Sequence, residues 1–222
     1  MFLNEVKNDF IYLEGVCDMQ IFIFKCLMNA IFELILFSLL PLVFYIITKR
    51  TIKGFLAYIG LKKVTYIKSI KKIILLFLAA YSFNIIIIII IDFSKINNVI
   101  ESSFSEDDLG ILFLILSILI YGFIQTGLSE EIFFRGFLAK RLISKIGYFY
   151  GNLIQAIIFG SLHYYSLSGA SMEVRILQII TATIMGYYFC YINERKTNGS
   201  IVIGWIFHAI TNILTVIIFL VL

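Results

Sequence analysis

Apolar residues run through this chain in long blocks. Six of them approach the roughly twenty residues a helix needs to cross a hydrocarbon core: 26–47, 73–91, 111–128 continuing past two glutamates, 152–164, 174–192 and 200–221. The fourth is the shortest. No series of ten-residue alternating segments occurs, which argues against an outer-membrane barrel. Backbone in lipid must then be satisfied within helices, and the pattern predicts an all-α, polytopic bundle. Ahead of the first block, Leu3, Val6, Phe10, Leu13 and Cys17 recur at helical spacing, as in an amphipathic helix lying at the membrane interface. Glu5, Lys7, Asp9, Glu14 and Asp18 are interspersed there, so the segment lacks the basic start and short apolar core of a cleaved signal and is expected to be retained.

Composition supports this class. Of 222 residues, 61% are hydrophobic, 14% are charged and one is proline, and the mean hydropathy is +0.99. A water-soluble globular domain is excluded. Only 92–110 is a polar stretch of any length, and no repeat or linker divides the chain, so residues 1–222 are read as a single integral membrane domain. Cys17, Cys26 and Cys190 have no metal-ligand spacing and an odd count, and imply no disulfide framework. Abundant Asn, Ile and Lys suit an AT-rich bacterial genome.

Charge orients the bundle. Lys49, Arg50, Lys53, Lys62, Lys63, Lys68, Lys71 and Lys72 follow the first block with no acidic residue among them. The next connection carries Asp92, Glu101, Glu106, Asp107 and Asp108 against Lys95 alone. Basic loops face the cytoplasm, which places loop 48–72 inside and 92–110 outside. Lys140, Arg141 and Lys145 after the third block, and Arg195 and Lys196 after the fifth, recur where six crossings require them. Anionic lipid is partner enough for such residues, and no nucleic acid is expected.

Several polar residues fall where the chain should be deep in lipid, and these are functional candidates by default. Glu130, Glu131 and Arg135 lie in SEEIFFRGF; the only two histidines, His163 and His208, lie in IIFGSLHYY and GWIFHAITN. At 1.5 Å per residue, Glu130 is roughly 15 Å from Lys140, His208 roughly 13 Å from Gly199 and His163 roughly 17 Å from Asn152. The three depths agree. If their helices are neighbours, a carboxylate and two imidazoles meet inside the bilayer.

Helical spacing suggests roles. Glu131 and Arg135, four apart, can pair on one face, leaving Glu130 about 100° away and free. Asn212 is one turn after His208, giving two neutral donors suited to a developing oxyanion. Phe159, one turn before His163, can wall its pocket. A buried carboxylate beside imidazole has the environment of a general base. Lys25 and Glu33 in the first block have no motif around them and read as helix packing or snorkelling; Tyr164, Tyr165 and Trp205 read as packing or interfacial anchors. Isolated polar residues in membrane helices also act simply as glue between helices.

Glu130-Glu131-x-x-x-Arg135, then Phe159-x-x-x-His163, then His208-x-x-x-Asn212, in successive apolar segments, resemble the CPBP intramembrane proteases. That family includes the type II CAAX prenyl endopeptidases and many bacterial immunity-associated, Abi-like relatives. The resemblance covers about residues 110–222; the first half contributes hydropathy alone. It implies a glutamate-dependent endopeptidase buried in a helical bundle. Glu130 would be the base and His163 would help hold and activate water. His208 and Asn212 would stabilise the oxyanion, with Glu131, Arg135 and Phe159 in support. The substrate implied is a membrane-associated or hydrophobic peptide. No cofactor is expected; zinc is the alternative, with Glu130, His163 and His208 as ligands, although no HExxH occurs. A non-catalytic binding protein on the same fold, such as a bacteriocin immunity factor or scaffold, is the other function considered.

Overall fold

The computed structural model describes residues 2–90, 110–165 and 171–221, with side chains at 20–82, 84–85, 110–165 and 171–218. The acidic connection around Asp92, Glu101, Glu106, Asp107 and Asp108 therefore lies outside the described residues. So do the side chains of Leu3, Val6, Phe10, Leu13 and Cys17.

Among the described residues every element is helical. We label them α1 (Phe2–Lys49), α2 (Phe55–Tyr58), α3 (Ile70–Ile90), α4 (Ile111–Ile146), α5 (Tyr148–Leu162), α6 (Met172–Lys196) and α7 (Val202–Val221). Each predicted apolar block is one of these helices. Gln20–Lys49, Ile111–Ile146 and Met172–Lys196 are long and apolar enough to cross a membrane, and Val202–Ile218 is a shorter apolar helix. Residues 2–19 do not form a separate interfacial helix; they extend α1 with no turn between, and the helix continues through Pro41.

Burial is distributed as lipid requires. Phe24, Phe32, Ile35 and Ile47 on α1 are 60–71% exposed, whereas Glu131, Asn152, Gln155 and Asn193 are fully buried. Large apolar side chains thus face outward along whole helices while polar ones are sequestered, a distribution that water would disfavour. This is a membrane protein. Since lipid tails are as apolar as leucine, helices associate through close packing and hydrogen bonds. Ile73, Phe77 and Tyr81 of α3 pack on Met185, Tyr188, Phe189 and Ile192 of α6, while Phe134 of α4 packs on Phe159 of α5 and Ala182 of α6. Asn152 and Gln155 donate from α5 to the carbonyls of Tyr187 and Gly186 on α6, at 3.1 Å each.

α4 is the central element, packed against α1, α5 and α7. It contains two stretches of wider i→i+5 turns, Ile120–Leu128 and Glu131–Ala139, with α-helical turns at either end. Such widened turns concentrate at functional sites. The hydroxyls of Thr126 and Ser129 each donate five residues back, to the carbonyls of Tyr121 and Ile124. At Gly147 (φ 80°, ψ 165°) the chain reverses directly from α4 into α5, a conformation only glycine adopts without strain.

The basic connections meet at one end of the bundle. The amide of Ile201 donates to Gly60, that of Lys68 to Lys196, and Lys140 Nζ lies 2.6 Å from Glu194 and 2.9 Å from the Gly199 carbonyl. Arg141 bonds to the Tyr58 hydroxyl, and its guanidinium carbon sits 3.7 Å from the centre of that ring. Loop 50–69 is thus packed onto the ends of α4, α6 and α7.

Candidate active site

The second of the adjacent glutamates is the anchor. Glu131 is fully buried, and donors from three helices converge on its carboxylate: Arg135 Nη1 of α4 at 3.2 Å, Asn193 Nδ2 of α6 at 3.0 Å and His208 Nδ1 of α7 at 3.3 Å. Around the guanidinium stand the rings of Phe159 (4.0 Å to the centroid), Phe189 (5.4 Å) and Phe134 (5.9 Å). Their negative faces favour a cation removed from water. No Arg135 nitrogen makes a well-aligned hydrogen bond among the described residues, so proximity of charge and aromatic faces hold it. Asn193 is a bridge: its amide donates to Glu131 while its Oδ1 accepts from the Gly204 amide at 3.1 Å. A β-carbon at position 204 would lie 2.3 Å from that Oδ1, so the approach requires glycine.

Glu131 also sets the state of His208. A carboxylate can only accept, so the imidazole must carry its hydrogen on Nδ1. Nε2 then faces Glu130 Oε2, 3.5 Å away. Attraction across that gap requires one proton, held either by Nε2 as imidazolium or by Glu130 as acid. The ring is fixed by stacking on Phe189 (4.9 Å, 21° between planes) and by the edge-on Phe159 ring at 5.8 Å. Spacing alone left Glu130 free; α7 instead brings His208 between the two glutamates.

His163 follows the last residue of α5. Its Nδ1 lies 2.9 Å from the Phe159 carbonyl, which can only accept, so Nδ1 carries a hydrogen. Its ring centroid is 4.6 Å from that of Phe159.

Glu130 and His163 both line a cavity of about 490 Å³ bounded by α1, α4 and α5. Its walls include Phe32, Leu36, Phe37, Phe134, Phe159 and Leu162, and its other polar residues are Asn29, Glu33 and Gln125. Phe32 and Leu162 are also more than half exposed on the outer surface, so the wall is continuous with the lipid-facing side of the bundle. His208 and Asn212 are not among the lining residues: His208 stands behind Glu130, and Asn212 Nδ2 donates to Thr126 Oγ1 at 2.7 Å.

Three contributors had no reading as site residues in the sequence. Glu33, read there as packing or snorkelling, lines the cavity and accepts a 2.9 Å hydrogen bond from Gln125. A carboxylate mid-block was the available signal for Glu33. For Gln125 it was a lone amide five residues before Glu130. Asn193 lies one residue beyond the predicted block 174–192, where nothing in the sequence singles it out.

Among the described residues no three of His, Cys, Asp or Glu are grouped as a metal site requires. Glu130, His163 and His208 are therefore not grouped as one ligand set in this structure.

Comparison with protein families places residues 112–214 in a match to the family described as type II CAAX prenyl endopeptidase Rce1-like. Comparisons with curated proteins and with solved structures gave no match.

Proposed function

We propose that this protein is an intramembrane endopeptidase of the CPBP and CAAX-protease type, a reading supported by the match of residues 112–214 to the Rce1-like family. It cuts a membrane-associated or hydrophobic peptide with water activated by Glu130 and His163. The observation that carries the reading is the shared cavity: a carboxylate on one helix and an imidazole on another, both lining a space walled by phenylalanine and leucine.

Each residue has a chemical task. Water held by Nε2 of His163 loses a proton to the Glu130 carboxylate as its oxygen bonds to the scissile carbonyl carbon. Glu130 then delivers that proton to the leaving amine as the C–N bond breaks. His208 keeps its Nε2 proton through these steps and, facing Glu130 at 3.5 Å, balances the carboxylate whenever it is ionised. Glu131 holds His208 in the required tautomer, as the orienting carboxylate does in a catalytic triad. Asn212 has a second amide hydrogen beyond the one given to Thr126. Oxyanion donation from that hydrogen requires the carboxamide to turn toward the cavity. His208, committed to two glutamates, serves the base in preference to the oxyanion.

The reaction as proposed needs no cofactor, and nothing in it uses nucleic acid; its partners are lipid and the peptide. The basic end of the bundle, formed by loop 48–72 with Lys140, Arg141 and Lys196, faces the cytoplasm of a bacterial cell membrane. The test is Glu130→Gln, which keeps shape and removes the base. Cleavage of membrane peptides by purified protein in nanodiscs should fall by about 10²–10⁴ with the fold intact. Equal function in the amide variant would instead mark a non-catalytic immunity factor or scaffold.

A further inference from the structure

Glu33 carries the inference. It projects from α1 inside the apolar block 26–47, roughly 10 Å from the nearer end of that block, and an ionised carboxylate there is costly unless compensated. The two glutamates of α4 are balanced: Glu131 faces Arg135, and Glu130 faces His208. Glu33 has its hydrogen bond from Gln125 but no cationic partner among the described residues. Lys25, on the same helix face, is two turns away, roughly 12 Å.

The surroundings of Glu33 suit a cation better than any other group. It shares the cavity with Glu130 and with four phenylalanines, Phe32, Phe37, Phe134 and Phe159. Carboxylate oxygens together with aromatic faces are the combination that binds an ammonium or guanidinium stripped of water. Asn29, one turn before Glu33, lines the same wall and adds a carbonyl oxygen as a further acceptor. Gln125 uses its amide hydrogens to fix the carboxylate from α4, across the helix interface.

We propose that Glu33, oriented by Gln125, is a specificity-determining residue that takes a basic group of the peptide, a lysine or arginine side chain, beside the scissile bond. The inference rests on the peptidase reading of the cavity and names its substrate class: apolar peptides with one cationic residue. Binding of that cation completes the charge balance of the membrane interior, so an apolar peptide with a neutral residue at the same position leaves Glu33 uncompensated.

The experiment uses the full chain in nanodiscs and short synthetic apolar peptides identical except for Lys, Arg, Gln or Glu at one scanned position. Binding is measured on the Glu130→Gln background and cleavage on the unmodified protein. At one position Lys and Arg peptides should bind roughly 10- to 100-fold more tightly than the Gln peptide, the worth of a charge-assisted hydrogen bond. Adding Glu33→Gln should abolish the preference while Gln peptides bind as before. Gln125→Met, which leaves the charge and removes its support, should reduce the preference and keeps the test open if Glu33→Gln fails to fold. Equal binding of Lys and Gln peptides, preference surviving in Glu33→Gln, or no peptide binding at all would overturn the inference. Cleavage without any preference would sink this subsite and leave the peptidase standing. Preference in binding with no cleavage of any peptide would do the reverse.

Discussion

Replacing Glu131 by glutamine tests the buried network most directly. The change preserves volume and removes one negative charge from a carboxylate with no exposed surface. It also replaces one acceptor oxygen by an NH₂ group. Arg135, His208 and Asn193 all direct donors at that carboxylate, so at least one donor must then face another. Stranding a buried charge by removing its partner costs about 3–5 kcal/mol. The low end applies here, because the guanidinium keeps its contacts with Phe159, Phe189 and Phe134. About 3 kcal/mol corresponds to a fall in Tm of roughly 6–12 °C for a chain of this size. Trp205, the single tryptophan, donates from α7 to the Phe123 carbonyl on α4 and reports separation of those helices by fluorescence. Removing the stranded charge too, in Glu131→Gln/Arg135→Gln, should recover part of the loss, a positive coupling between the sites. A Tm for Glu131→Gln within about 2 °C of the parent, or a double variant with additive losses, would show that the network is not held by this charge.

Glu130→Gln should leave Tm nearly unchanged, since that carboxylate is 19% exposed to the cavity and its nearest ionic partner is at 3.5 Å; a loss as large as that of Glu131→Gln would make Glu130 architectural. Gly204→Ala should push the Asn193 amide off both Glu131 and the Gly204 amide and lower Tm together with activity, whereas an unchanged Tm would mean that Asn193 is dispensable. Chelation should leave purified protein active; zinc at one per chain, with activity lost on its removal and restored on its return, would make the same side chains ligands. In a cysteine-free background, a cysteine at Lys63 should react with an impermeant thiol reagent only from the cytoplasmic side and one at Asp107 only from outside, and the opposite result would invert the topology.

How much of this was readable before folding differs between fold and site. The apolar blocks determine helix and membrane together, because unbroken runs near twenty residues have one way to satisfy their backbone in lipid. The motif residues were equally visible: charges and both histidines inside apolar runs are rare enough to be singled out, and their common depth follows from helical rise alone. Helical spacing also identifies the Glu131–Arg135 pair, a contact within one helix.

Contacts between helices were beyond that reach, since spacing along a chain gives depth and face but not which faces meet. Tertiary packing therefore decided that His208 sits between two glutamates, with its Nε2 directed at Glu130. It turned Asn212 to Thr126 and away from the cavity wall. It recruited Asn193, nominally a residue of the polar helix end, into the deepest polar cluster through the close approach that Gly204 permits. It also moved Glu33 from an unexplained charge to the wall of the cavity, because α1 lies against α4 at the level of Gln125. Local sequence thus sets which groups lie at the same depth in the bilayer, and the rotation and neighbours of each helix, fixed by side-chain packing, set which of them touch.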